Sequence, residues 1–267
     1  MPIVFSALPA AVARDTEPVL RKQGLCVFSN AAAMRYQENV PILIPEVNPE
    51  ALRLIETQGF PETGFVVTNA ICTTTGLAVA LGPLRRFEIQ EVFVSTYQSI
   101  SGAGHPGLSA LDIGANTIPF ISGEEEKLPK ELRKILGVSA AVYPFCVRVP
   151  IPFGHLETLW LRFEQDVTEQ DVLEAWQGFT VDTSGMPSLP GRPVAYCPER
   201  DLPQHKQAFW GRPPGMQVFT GRLRSKGKYI GFALLVNNII KGAAGGSIAN
   251  AELFVRAYGG ETWPKES

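Results

Sequence analysis

Gly64-Phe65-Val66-Val67-Thr68-Asn69-Ala70-Ile71-Cys72-Thr73-Thr74-Thr75-Gly76 decides how this chain is read. Residues 64–68 form a short apolar, β-branched run, and a helix follows from about Thr73. Toward the N-terminus the alternation repeats, with strands predicted at 3–5, 25–28 and 41–44 and a helix at 10–23. Asn48-Pro49-Glu50 then opens a helix: Asn caps, Pro suits the first helical position and Glu favours the positive end. Gly59 is its stop. Strands alternating with helices predict βαβ units and a mostly parallel sheet.

Toward the C-terminus the pattern changes. A strand at 89–96 and a charged, solvated helix at 124–135 precede longer strand-like runs at 140–151, 156–163, 216–224 and 229–236. Ser225-Lys226-Gly227-Lys228 reads as a hairpin turn between the last two. Thr168-Glu169-Gln170-Asp171 has the form of a capping box opening a helix. Pro- and Gly-rich residues 184–214 read as a long loop or lid, and 242–258 as a helix rich in small residues that packs closely on a neighbour. A phosphate loop at Gly242-Ala243-Ala244-Gly245-Gly246 is the alternative there, although no strand leads into it. The expected fold is α/β: a parallel piece followed by a mixed-sheet piece.

Composition narrows the classes of function. The chain has 267 residues, 45% hydrophobic and 19% charged, enough for a substantial core. A net charge of −2 leaves no basic footprint for nucleic acid or an anionic membrane, and no apolar run reaches about 18 residues. The start, MPIVFSALPAAVA, imitates a signal peptide, but no Lys or Arg precedes it and Pro2 and Pro9 interrupt it. Cys26, Cys72, Cys146 and Cys197 lie far apart without a Cys-x-x-Cys pair, so neither a metal site nor a disulfide framework is expected. A reducing cytoplasm follows.

Cys72 stands at a strand-to-helix junction, where free amides and the helix dipole lower a thiol pKa and make a nucleophile. A buried structural cysteine is the plain alternative, and it is the default for the other three. His155, after Arg148-Val149-Pro150-Ile151-Pro152-Phe153-Gly154, sits at a bend where an imidazole can serve as acid or base. His105 and His205 occupy similar Gly/Pro-containing loops. Arg148, on an apolar strand, calls for a carboxylate or phosphate. Gln98 ends a strand, where its amide orients a substrate or caps a turn. The run Glu124-Glu125-Glu126-Lys127 reads as a solvated helix start.

In order along the chain, these segments resemble aspartate-semialdehyde dehydrogenases of the archaeal and fungal type. The resemblance is carried by Val4-Phe5-Ser6-Ala7-Leu8-Pro9, Ser29-Asn30-Ala31 with Arg35, Ile44-Pro45-Glu46-Val47-Asn48-Pro49, and Cys72-Thr73-Thr74-Thr75-Gly76-Leu77. Residues 95–104, 123–127, 148–155 and 237–252 continue it, so it covers nearly the whole chain. It implies a partial Rossmann segment followed by a mixed-sheet α/β catalytic and dimerisation domain like the C-terminal fold of glyceraldehyde-3-phosphate dehydrogenase. The implied divisions are 1–71 for the remaining half of an NADP-binding domain, 72–236 for catalysis and dimerisation, and 237–267 for a helix packing back on the cofactor domain.

The resemblance also implies roles. Cys72 would attack L-aspartyl-4-phosphate and form a thioester, His155 would shuttle the proton and Gln98 would orient the acyl group. Arg148 and Glu124 would hold the substrate's carboxylate and amino group, and Arg35 and Lys127 its phosphate. Ser101, Gly102, Asn238, Ser6 and Leu8 would adjoin NADP. The implied product is L-aspartate 4-semialdehyde, on the route to lysine, threonine and methionine, made by a homodimer or homotetramer. The family opens with a Gly-rich turn upstream of the first strand here, so the chain by itself is expected to bind NADPH poorly. The family's Asn-Pro-Asn-Cys is Asn69-Ala70-Ile71-Cys72 here, and an Ile side chain cannot donate to phosphate, so weaker phosphate handling is expected. Two alternatives are a non-catalytic paralogue that keeps the sheet as a dimeric binding protein, and a reductase of another acyl phosphate.

Overall fold

The computed structural model describes residues 1–262. Three short strands, β1 (Ile3–Ser6), β2 (Cys26–Ser29) and β3 (Phe65–Thr68), form a parallel sheet in that order. Helix α1 (Ala10–Lys22) carries the chain from β1 to β2. Both β2 and β3 are buried throughout, which is why they read as unbroken apolar runs. At the end of β3 the chain enters α2 (Cys72–Leu81), whose residues after Cys72 are all buried. A helix covered on every side has no polar stripe.

The rest of the chain builds a six-stranded mixed sheet. Its strands are β4 (Ile89–Gln98), β5 (Ala141–Arg148), β6 (His155–Phe163), β7 (Val194–Cys197), β8 (Val218–Lys226) and β9 (Tyr229–Val236), in the order β5-β4-β6-β9-β8-β7. Helices α3 (Ala110–Ile113), α4 (Glu124–Leu136) and α5 (Glu169–Gly178) lie between them in sequence. On the inner face Val94, Leu159, Leu161, Phe232 and Leu234 form one core with α2, α4 and α5. After β9 a π-helical turn, Ile240–Ala244, leads into α6 (Gly245–Thr262). Phe254 of α6 packs edge-on against Phe60 and Phe65, closing the chain back on the parallel sheet.

The Thr168 capping box opens α5, and Gly227-Lys228 turns the β8–β9 hairpin, both as expected. Other expectations are corrected. Residues 41–44 make a single bridge, Ile42 to Thr68, because Asn48 takes the backbone there instead: it accepts from the Ile44 amide at 2.8 Å and donates to the Ile42 carbonyl at 2.9 Å. That side chain is therefore not a helix cap, and Pro49–Gln58 is a 3₁₀ helix, although it does end at Gly59 with a left-handed φ of 97°. The stretch 184–214 contains strand β7, the edge of the larger sheet, so it is not all loop. Nor is α4 simply solvated: Leu128, Glu131, Leu132 and Ile135 form a buried stripe. Residues 263–267, the end of the segment assigned to 237–267, lie outside the described residues.

Candidate active site

Three adjacent strands of the larger sheet end in one polar row. Register places Gln98 of β4 beside Arg148 of β5 and beside His155 of β6. One step back along the same face lie Cys146, Thr96 and Glu157. Because side chains alternate across a strand, both rows point to the inner face, where the start of α2 meets them. There Cys72 Sγ lies 3.0 Å from His155 Nε2. Gly154, with a φ of 85°, provides the backbone conformation that turns the chain into β6 just before His155.

The pair is tightly enclosed. Gly242 of the π-helical turn lies against Cys72, where an added Cβ would come within 2.5 Å of the Cys72 Cβ. The glycine-rich segment there thus acts through close packing. Gly102 similarly lies against Arg148 and His155, where an added Cβ would come within 2.7 Å of the Arg148 guanidinium. Arg148 donates to the Ser99 carbonyl at 2.7 Å. Gln98 donates to Thr96 Oγ1 at 3.3 Å and also bonds the Glu124 carboxylate. Glu124 and Lys127, at the start of α4, face each other electrostatically, and burial raises the Glu124 carboxyl above its ordinary range.

Burial also reverses one expectation. The Cys72 thiol is pushed up to about 12, by burial first and then by the Glu124 and Glu157 carboxyls, against the lowering pull of the Thr73 amide and Arg35. Desolvation of a thiolate outweighs the helix terminus. The His155 imidazole is held down at about 3 by burial and by Arg148. The resting pair is therefore thiol and neutral imidazole, so thiolate must be generated by proton transfer. Alkylation of Cys72 by iodoacetamide should rise about tenfold per pH unit between about pH 7 and pH 10, because thiolate fraction grows that way below a raised pKa. Rates followed by mass spectrometry that level off near pH 8 would contradict this. Of the four free thiols, Cys26, Cys146 and Cys197 are buried and Cys72 is the part-exposed one, so the signal belongs to Cys72.

The remaining expected site residues fall in different places. Arg35 is buried and ion-paired with Glu131 of α4 at 3.1 Å, so an internal carboxylate already answers its charge. Glu131 also accepts the Ile71 amide at 2.7 Å, at the entrance to α2. The Ser6 hydroxyl is directed inside the fold, to Glu17 at 2.7 Å, while Leu8 is half-buried just beyond β1. Ser101 and Asn238 meet beside His155, with Asn238 Nδ2 donating to Ser101 Oγ at 2.9 Å.

Sequence reading missed Glu131, Glu157 and Ser99. For the first two a signal existed. Glu131 lies on the apolar stripe of α4, and Glu157 alternates with Leu159, Leu161 and Phe163 on the buried face of β6. A charge where the period calls for an apolar residue marks a buried carboxyl. Neither oxygen of Glu157 has a hydrogen-bond partner among the described residues, and burial raises its pKa well above the ordinary range. Among the described residues no group of three or more His, Cys, Asp or Glu is arranged to hold a metal, and no helix is long and apolar enough to cross a membrane.

Comparison with known proteins accounts for this arrangement. Residues 81–241 match the family model for a semialdehyde dehydrogenase dimerisation domain, and residues 1–55 the one for a semialdehyde dehydrogenase NAD-binding domain. An aspartate-semialdehyde dehydrogenase of Archaeoglobus fulgidus is 40% identical over 95% of this chain and 77% of its own length. A malonyl CoA reductase (NADP) of Metallosphaera sedula is 35% identical over 95% of this chain and 76% of its own. The crystal structure of aspartate-semialdehyde dehydrogenase with NADP from Candida albicans superposes with a TM-score of 0.84, at 32% identity, over 96% of this chain and 78% of that one. With a paired Cys72 and His155 at the end of a mixed sheet, and this likeness over nearly its whole length, the chain belongs to the aspartate-semialdehyde dehydrogenase family.

Proposed function

We propose that the chain catalyses the NADP-dependent reductive dephosphorylation of L-aspartyl-4-phosphate to L-aspartate 4-semialdehyde. The observation that carries this reading is the 3.0 Å approach of Cys72 Sγ to His155 Nε2. In this reading His155 takes the thiol proton as Cys72 sulfur adds to the acyl carbon, and the thioester forms as phosphate leaves. The Gln98 amide orients the acyl oxygen, while Arg148 and Glu124 take the substrate's carboxylate and amino group. Lys127 is the cation for the phosphate, with Arg35 restrained by Glu131.

The residues present suit a dinucleotide. Ser101 and Asn238 form a polar cluster, and Gly102 brings bare backbone against His155 and Arg148. Ser101, Gly102, Asn238 and Leu8 would hold it. When bound, NADPH supplies the hydride that reduces the thioester. The organisation that goes with this is 1–71 for cofactor, 72–236 for catalysis and dimerisation, and 237–267 returning to the cofactor side. The outer face of the larger sheet, with Phe93, Tyr143 and Phe145 exposed, fits a second copy of the chain. We place the homodimer in the cytoplasm, where Cys72 stays reduced.

A second reading has its own observation. Ile71 presents an apolar side chain where a phosphate donor is expected, its amide is spent on Glu131, and a relative is named a malonyl CoA reductase. An acyl-CoA thioester would need no phosphate site. Running the reaction backwards separates the two. With L-aspartate semialdehyde and NADP, the first reading expects NADPH absorbance to appear only when phosphate is added. Reduction that requires coenzyme A instead would establish the second. No reduction with either acceptor would reject both.

A further inference from the structure

Helix α4 carries Glu124, Lys127, Glu131 and Lys134 at a spacing that sets them along one side. The first two stand at the substrate end. The last two hold the loop after β2 that carries Arg35. Lys134 Nζ donates to the carbonyls of Arg35, Gln37 and Val40 at 2.7, 2.7 and 2.6 Å. Glu131, fully buried, collects three donors on its two oxygens. Oε1 accepts from Arg35 Nη1 at 3.1 Å and from the Tyr36 hydroxyl at 3.3 Å, and Oε2 accepts the Ile71 amide at 2.7 Å.

Two of those donors are groups that an anion beside Cys72 would otherwise use. The Ile71 amide immediately precedes the nucleophile at the start of α2, where an unshared N–H attracts negative charge. Burial raises both the Cys72 thiol and the Glu124 carboxyl, and the Arg35 charge pulls each of them down, so that charge reaches both. Arg35 Nη2 is held in addition by the Asn30 carbonyl at 2.8 Å, while Nε has no hydrogen-bond partner among the described residues. Glu131 thus does not exhaust the donors of the guanidinium. It answers the charge, and a carboxylate there repels a second anion that approaches.

We propose that Glu131 is the specificity-determining residue of the phosphate subsite: it occupies the Ile71 amide and neutralises Arg35, so that inorganic phosphate is held weakly, through Lys127. Weak retention suits an anion that must leave as the thioester forms. This rests on the phosphate-dependent reading given above and names what sets the affinity for the anion in it.

Glu131→Gln keeps the shape of the side chain and removes its charge. In the direction that forms NADPH, the KM for phosphate should fall about tenfold, the order expected for one unit charge removed within about 10 Å at an effective dielectric constant of about 20. The KM for L-aspartate semialdehyde should stay within about twofold, since uniform binding of that substrate is untouched. Phosphate should also raise the melting temperature of the variant more than that of the parent, because it takes the place of the missing charge. A carboxylate with a structural role alone would give a less stable variant that phosphate does not restore. A KM for phosphate that stays level or rises would overturn the proposal. The parent supplies a check that no folding defect obscures. In its crystal structure with inorganic phosphate bound, Arg35 should keep its bond to Glu131, with the phosphate on Lys127. Arg35 turned from Glu131 onto the phosphate would overturn the proposal equally. A parent whose turnover ignores phosphate would instead reject the phosphate-dependent reading, and the proposal with it.

Discussion

Cys72→Ser should lower turnover at least about 10⁴-fold, the order of loss that follows removal of a covalent nucleophile. The substitution changes one atom at the first residue of α2 and leaves the buried stretch Thr73 to Leu81 untouched, so the melting temperature should move little. An alcohol is a far weaker acid than a thiol, and nothing at this helix terminus makes up the difference. Even the thiol is pushed up to about 12 by burial and by its two carboxyl neighbours. The comparison to make is turnover with L-aspartate semialdehyde, NADP and phosphate beside a thermal melt of the same sample. A Ser variant with a tenth of the parent turnover would show that chemistry does not pass through sulfur.

Lys241→Met should destabilise the fold by about 3–5 kcal/mol, the cost of leaving one partner of a buried ion pair uncompensated. Lys241 of the π-helical turn and Glu46 of the loop after residue 44 form a direct ion pair, and both side chains are almost completely excluded from solvent. Lys241 bonds Glu46 Oε1, while Oε2 has no hydrogen-bond partner among the described residues, so among them the ammonium is the compensation shown for that carboxylate's charge. The pair ties the loop to the turn that holds Gly242 against Cys72, so the variant should also loosen the nucleophile. Pairing Lys241→Met with Glu46→Leu should recover most of the stability, since replacing both charges by apolar groups is often close to neutral. Urea denaturation of the single and double variants measures this. A single variant that loses less than about 1 kcal/mol would mean that Glu46 reaches water.

What was legible in this sequence follows one physical line: features set by near neighbours could be read, and features set by distant ones could not. The strands β2 and β3, the strand runs of β4 and β6, the Thr168 capping box and the hairpin at Gly227 each depend on a few adjacent residues. Cys72 at a strand-to-helix junction, and His155 just after Gly154, were visible on the same footing. Residues 41–44 were misread because their backbone is claimed by the Asn48 side chain, a contact that strand propensity does not register.

The sequence by itself therefore determined the two kinds of sheet, the junction that carries the nucleophile and, through ordered motifs, the family. Only the tertiary structure decided the state of the site. It brought Arg148, Gln98 and His155 into one row from three strands and set Cys72 against them. It paired Arg35 with a carboxylate 96 residues away, taking up the charge expected for phosphate. It also raised the thiol that the helix terminus was expected to lower. Charge state depends on burial and on every polar group within a few ångströms, and those neighbours come from parts of the chain that local pattern does not connect.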